Sequence, residues 1–151
     1  ISVSDEQKSF FENFEKNNIS FLIGNAGSGK SFLQKILLEY GKVLNMSVLL
    51  LSPTGKASKV LTQYTGKQAY TIHRKLARPD SYIFDDVILV DEASMCDIFI
   101  IAKLLSRIQN DNAKIVFIGD DAQIPSVGTG NFLYDCIHSD VLKINNIAIC
   151  L

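Results

Sequence analysis

Apolar residues along this chain gather in short runs, Ile19 to Ile23, Val48 to Leu51, Val87 to Val90 and Lys114 to Ile118, with a further one inside Val141 to Leu151. Runs of this length without alternation predict strands buried on both faces, as in a parallel sheet covered by helices. Between them the spacing changes to that of helices. Phe10, Phe11 and Phe14 follow Ser4 and Gln7, which fit a capping box, and Phe32, Leu33, Ile36, Leu37 and Tyr40 predict a helix from near Lys30 that ends at Gly41. A third helix is expected from Met95 to Ile108, and a short one from Asn131 to Ile137. The alternation predicts an α/β fold with five parallel strands flanked by helices.

The chain has 151 residues, 47% of them hydrophobic, enough for one core that buries roughly two-thirds of the unfolded surface. Its 15 basic and 16 acidic residues nearly cancel, so any anion-binding face must be local. Cys96, Cys136 and Cys150 are far apart without C-x-x-C spacing, which argues against a zinc site or disulfide framework and for buried thiols in a reducing, intracellular setting. No apolar run approaches a membrane span, and the first residues lack a signal-peptide pattern.

The first apolar run leads directly into Gly24-Asn-Ala-Gly-Ser-Gly-Lys-Ser31 and then a helix, matching G-x-x-x-x-G-K-[ST]. In such a loop, glycines such as Gly27 and Gly29 let backbone N–H groups converge on phosphate, and the helix adds its positive end. Lys30 would reach the β- and γ-phosphates of a nucleotide, and the Ser31 hydroxyl would ligate Mg²⁺. The competing reading is a Gly-rich turn that binds nothing. The strand before it and the helix after it favour phosphate.

Two other strand ends carry candidate chemistry. Asp91 and Glu92 follow the run Val87 to Val90, where a carboxylate pair in apolar surroundings implies a metal or a catalytic water. Asp91 suits the Mg²⁺ shell and Glu92 the activation of attacking water; helix capping by Asp91 is the alternative. Gln123 lies beyond Gly119-Asp120, placed to sense a γ-phosphate, although an ordinary polar loop has the same composition. From Lys56 to Pro79 there are six basic residues and no Asp or Glu, with Tyr64, Tyr70 and His73 interleaved. That asymmetry suits a polyanion with exposed bases, or equally a solvated helical face whose tyrosines join the core.

Taken in order, these motifs resemble the first motor domain of superfamily 1 DNA helicases of the RecD-like group, and the similarity covers nearly the whole chain. Ser4-Asp-Glu-Gln7 is similar to the Q motif, which implies that Gln7 reads adenine. Gly24, Asn25, Ala26, Gly27, Ser28, Gly29, Lys30 and Ser31, with Phe32 next to them, correspond to Walker A. Leu51-Ser-Pro-Thr-Gly-Lys-Ala-Ser-Lys59 resembles motif Ia, and Thr71-Ile-His-Arg-Lys-Leu76 the motif beyond it. The resemblance therefore implies single-stranded DNA contacts from Pro53, Thr54, Gly55, Lys56, Lys59, Thr71, His73, Arg74 and Lys75. Val90-Asp-Glu-Ala-Ser-Met95 is similar to motif II, and Gly119 to Gly128 to motif III, with Gln123 at the sensor position.

The fold implied is a RecA-like P-loop ATPase with the strand at 114–118 between those of Walker A and motif II. The function implied is the ATP-binding half of a helicase or translocase that moves 5′ to 3′ on single-stranded DNA, with ATP and Mg²⁺ as cofactors. Work within a larger repair or replication complex, in cytoplasm, nucleoid or nucleus, is part of the same expectation. An RNA helicase or remodelling motor of the superfamily, and a nucleotide-binding scaffold without turnover, stay open as alternatives. Asp121-Ala122 departs from the Pro or Pro-Asp common in the family, and the second motor domain with its arginine finger has no counterpart. An apolar end at Ile147 to Leu151 suggests a piece of a longer chain.

Overall fold

In the computed structural model, which describes residues 5–24, 29–120 and 148–150, the apolar runs become one parallel sheet. The elements are α1 (Asp5–Lys16), β1 (Ile19–Gly24), α2 (Lys30–Val43), β2 (Val48–Ser52), α3 (Gly55–Thr65), β3 (Ala69–Thr71), α4 (Ile72–Lys75), β4 (Val87–Val90), α5 (Ile98–Ser106), β5 (Lys114–Asp120) and β6 (Ala148–Cys150). The strand order is β3-β2-β4-β5-β1-β6. The α/β class and the position of β5 between β1 and β4 agree with expectation, and the sheet has a sixth strand at its edge. Ala69–Thr71 was hidden in the sequence because only Ala69 is fully buried; a three-residue strand at an edge needs little apolar content.

Both faces of the sheet are covered, which explains the unbroken strands. On one face Phe10 and Phe14 of α1, Leu33 and Leu37 of α2 and Leu61 of α3 pack on Leu22, Leu50, Leu89 and Val116. On the other, Ile72 and Leu76 join Ile101 and Leu104 of α5 over Ile23, Leu51, Val90 and Phe117. The Lys114 ammonium fixes the end of α1 by donating to the carbonyls of Phe14 at 2.7 Å and Glu15 at 3.0 Å. A cation there also faces the negative end of the helix.

Three boundaries differ from the sequence reading. Gly41 does not end α2, which continues to Val43. A Cβ at Gly41 would stand 2.7 Å from Val48 Cγ2, so the glycine lets α2 approach β2 closely. The third helix starts later than Met95, because Ala93–Met95 form a 3₁₀ turn and Asp97 caps α5, its carboxylate accepting from the Ile100 N–H at 2.9 Å. It also ends at Ser106, where Arg107 turns to donate to the Arg78 and Ser81 carbonyls and ties down the preceding loop. Cys96 is buried, as expected, while Cys136 and the Cys150 side chain lie outside the described residues, as do Asn131 to Ile137.

Candidate active site

The parallel register brings the ends of the strands to one edge: Gly24 pairs with Asp120, and Val90, next to Asp91, pairs with Leu51 and Phe117. Ligands collect at this edge in open α/β sheets because the chain opens outward there. Gly29 begins α2 with φ 99°, a left-handed conformation open to glycine at little cost. The Lys30 ammonium donates to the Gly24 carbonyl, bridging the ends of the loop. Gly29, Lys30, Ser31, Phe32 and Gln34 from the start of α2 then line a cavity of about 570 Å³, opposite Asp91, Glu92, Gly119 and Asp120. Val60 and Tyr64 of α3 close one side.

Asp91 sits deep in this arrangement. Burial first, and then repulsion from Glu92, push its carboxyl up to about 6, against opposing pulls from the Glu92 backbone N–H, Gln34 and Lys30. The Gln34 amide donates to Asp91 Oδ1 at 3.4 Å. Asp91 caps no helix, since Asp97 performs that task for α5, so the capping alternative falls away. Glu92 follows with φ 53°, left-handed although it is not glycine, a conformation costing roughly 1 kcal/mol or more that persists only where its surroundings hold it. Cys96 nearby is inert, its thiol pushed up to about 12 by burial and by the charges of Asp97 and Glu92.

The raised carboxyl has a consequence for stability. With a folded value of about 6 against 3.8 unfolded, the folded state holds the Asp91 proton more tightly. Stability therefore falls as pH rises between those values, and the full penalty is present above 6. In metal-free buffer, Asp91→Asn should stabilise the fold at pH 8 by about 1–3 kcal/mol, and the gain should vanish near pH 4. Urea denaturation across that range measures it; a gain independent of pH would contradict burial as the cause.

A second hollow, of about 450 Å³, adjoins the first at Val60, Asp91 and Glu92 and is lined as well by Thr54, Lys56, Ala57 and Met95. The basic segments converge on this edge because Ser52 of β2 pairs with Thr71 of β3, so both chains leave the sheet side by side. Thr54 and Thr71 are engaged as caps, accepting from Ala57 N–H at 3.2 Å and Arg74 N–H at 3.1 Å. Pro53 is half-buried, Gly55, Lys56, His73 and Arg74 are exposed, and Lys75 is half-buried. Lys59 departs from the group: it lines a separate hollow with Ser58, Thr62, Gln63 and Gln68. Tyr64 carries the Lys35 ammonium 4.1 Å from its ring centroid, and Tyr70 packs partly on the core.

Gln7 belongs to α1 by its backbone, but its side chain lies outside the described residues, together with Asn25 to Ser28 and Gln123. Sequence reasoning missed Gln34, Val60 and Met95 as lining residues, and Tyr64, read there as a candidate for stacking on bases, lines the cavity with Lys30 instead. Gln34 had a signal, a polar residue inside the apolar face of α2 next to Leu33 and Leu37; Val60 and Met95 are exposed apolar positions on a helix and a turn, which sequence alone assigns to no site. A Mg²⁺ ion fits the oxygen donors here. Among the described residues no cluster of three or more His, Cys, Asp or Glu could hold a metal by itself, whereas Mg²⁺ takes one or two carboxylates and fills its shell with phosphate oxygens and water.

The model of the AAA domain family matches residues 2–148. The chain belongs to that family. Within it, the motifs are those of a RecA-like motor domain of the RecD-like superfamily 1 group, and the relatives agree. An uncharacterized protein of Methanocaldococcus jannaschii is 33% identical over 97% of this chain and 14% of its own length. The ATP-dependent RecD2 DNA helicase of Deinococcus radiodurans is 32% identical over 85% of this chain and 19% of its own. The Pif1 helicase of Candida albicans superposes on the whole chain and on 40% of its own with a TM-score of 0.65 at 22% identity, a likeness of fold alone. This AAA domain thus spans 14% and 19% of the length of those two curated relatives.

Proposed function

We propose that this AAA domain is the ATP-binding half of an ATP-dependent DNA helicase or translocase, one of two motor domains in a longer intracellular protein. The carrying observation is that Asp91 and Glu92 line both hollows, one shared with Lys30 and Ser31, the other with Thr54 and Lys56. A nucleotide in the first hollow and a nucleic acid strand in the second would meet at the same pair of carboxylates.

In this reading the phosphates rest on the N-terminal turn of α2, with the Lys30 ammonium moving from the Gly24 carbonyl to the β- and γ-phosphates. Ser31 and Asp91 would hold Mg²⁺, which when bound would neutralise charge on the phosphate oxygens. Glu92, which lines the cavity, accepts the proton of the attacking water. Gln7 at the adenine and Gln123 at the γ-phosphate complete the nucleotide site by resemblance. Movement 5′ to 3′ and service in repair, recombination or replication complexes follow from the same relationship.

The strand side is tested by salt dependence. Replacing Lys56 and Arg74 by Ala should weaken single-stranded DNA binding without regard to sequence, and should lower the log–log salt slope by up to about 0.7 for each phosphate no longer neutralised. Fluorescence anisotropy with labelled oligonucleotides over a salt series measures both, and RNA competitors separate a DNA motor from an RNA one. An unaltered slope in the double variant would remove this surface from the strand path.

A further inference from the structure

We propose that Gln34 is a positioning residue for the cation side of the nucleotide site, holding Asp91 with its amide N–H and accepting, through its amide oxygen, from a hydrating water of the cation. The inference rests on the reading that Ser31 and Asp91 hold Mg²⁺. Gln34 follows Lys30 and Ser31 by four and three residues on α2, so the three share one helix face, and it lines the same cavity as both. It is only 2% exposed, in a helix face otherwise packed with Leu33, Leu37 and Leu38. Its Nε2 donates to Asp91 Oδ1 at 3.4 Å, and its Oε1 finds no partner among the described residues. The reversed amide would set two oxygens against each other at the same distance, so the carboxylate fixes the orientation.

A leucine at this position would complete the apolar face and avoid the cost of an unpaired buried oxygen. A glutamine is out of place in the core but in place beside a cation, because outer-shell partners orient ligating carboxylates and leave an acceptor for ordered water.

Gln34→Leu and Gln34→Met separate this role from packing. Calorimetric titration with a non-hydrolysable ATP analogue, in EDTA and over a Mg²⁺ series, should show metal-free affinity unchanged and melting temperature in EDTA equal or higher. The Mg²⁺ concentration needed for half of the metal-dependent tightening should rise about 10-fold or more. An unchanged Mg²⁺ requirement in a folded variant overturns the inference, and failure of both variants to fold makes Gln34 a packing residue. If the unaltered protein binds the analogue but shows no Mg²⁺ dependence, the cation reading of Ser31 and Asp91 fails along with it; if it binds no analogue at all, the nucleotide reading fails first.

Discussion

Replacing Glu92 by Gln should leave nucleotide affinity within about twofold and lower DNA-stimulated ATP turnover by roughly 10²-fold or more. The amide keeps the size and hydrogen bonding of the side chain but cannot take the proton of the attacking water. Backbone geometry sharpens the expectation. Glu92 occupies a left-handed conformation with φ 53°, and Gln meets the same steric conditions there, so the substitution changes the proton acceptor without releasing the turn. Because Asp91 is raised partly by repulsion from Glu92, the variant should also bring the Asp91 carboxyl down, which favours its charged form. Cation affinity should then hold or improve while turnover falls. Parallel measurement of analogue binding and phosphate release in the longer protein decides it. Wild-type turnover in the variant would move the base elsewhere, and joint loss of binding and turnover would make Glu92 a structural residue.

The strands were legible because burial on both faces leaves few polar positions to interrupt them, Ser20 being the polar residue inside β1: Val48–Ser52 and Val87–Val90 are buried at every residue. The turn into α2 was legible for a related reason, since Gly29 must adopt a left-handed φ and the residues after it must start a helix. Boundaries set by packing were not. Gly41 reads as a helix stop in sequence, and only the 2.7 Å approach of Val48 shows it to be a point of close packing. Thr54 and Thr71 were assigned to DNA by resemblance, yet their hydroxyls serve the first turns of α3 and α4. The same loops can meet a strand through Lys56 and Arg74, which leave the caps intact. Separation of Lys59 from Lys56 depends on which face of α3 each occupies against its neighbours, and a charge count over a segment does not carry that.

Lys30→Ala should weaken MgATP binding by about 10²-fold or more, the loss expected when a charge-assisted hydrogen bond to phosphate is removed from a partly enclosed site. The fold should tolerate the change. Lys30 is the first residue of α2 and half-buried at the cavity wall, and Ala is a strong helix former. What disappears is the ammonium that donates to the Gly24 carbonyl, the group whose reach across the loop suits it to the β- and γ-phosphates. A second effect runs through Asp91, because Lys30 is among the charges that hold its carboxyl down against burial. Without it the carboxyl should rise further, and cation binding should demand higher pH than in the unaltered protein. Calorimetry with MgATP at pH 6.5 and 8 tests both parts. The affinity loss should be greater at pH 6.5, where protonation of Asp91 competes with the cation. A loss of the same size at both values would leave Lys30 its role at the phosphates but no influence on Asp91, and unchanged affinity would remove the lysine from the phosphate site altogether.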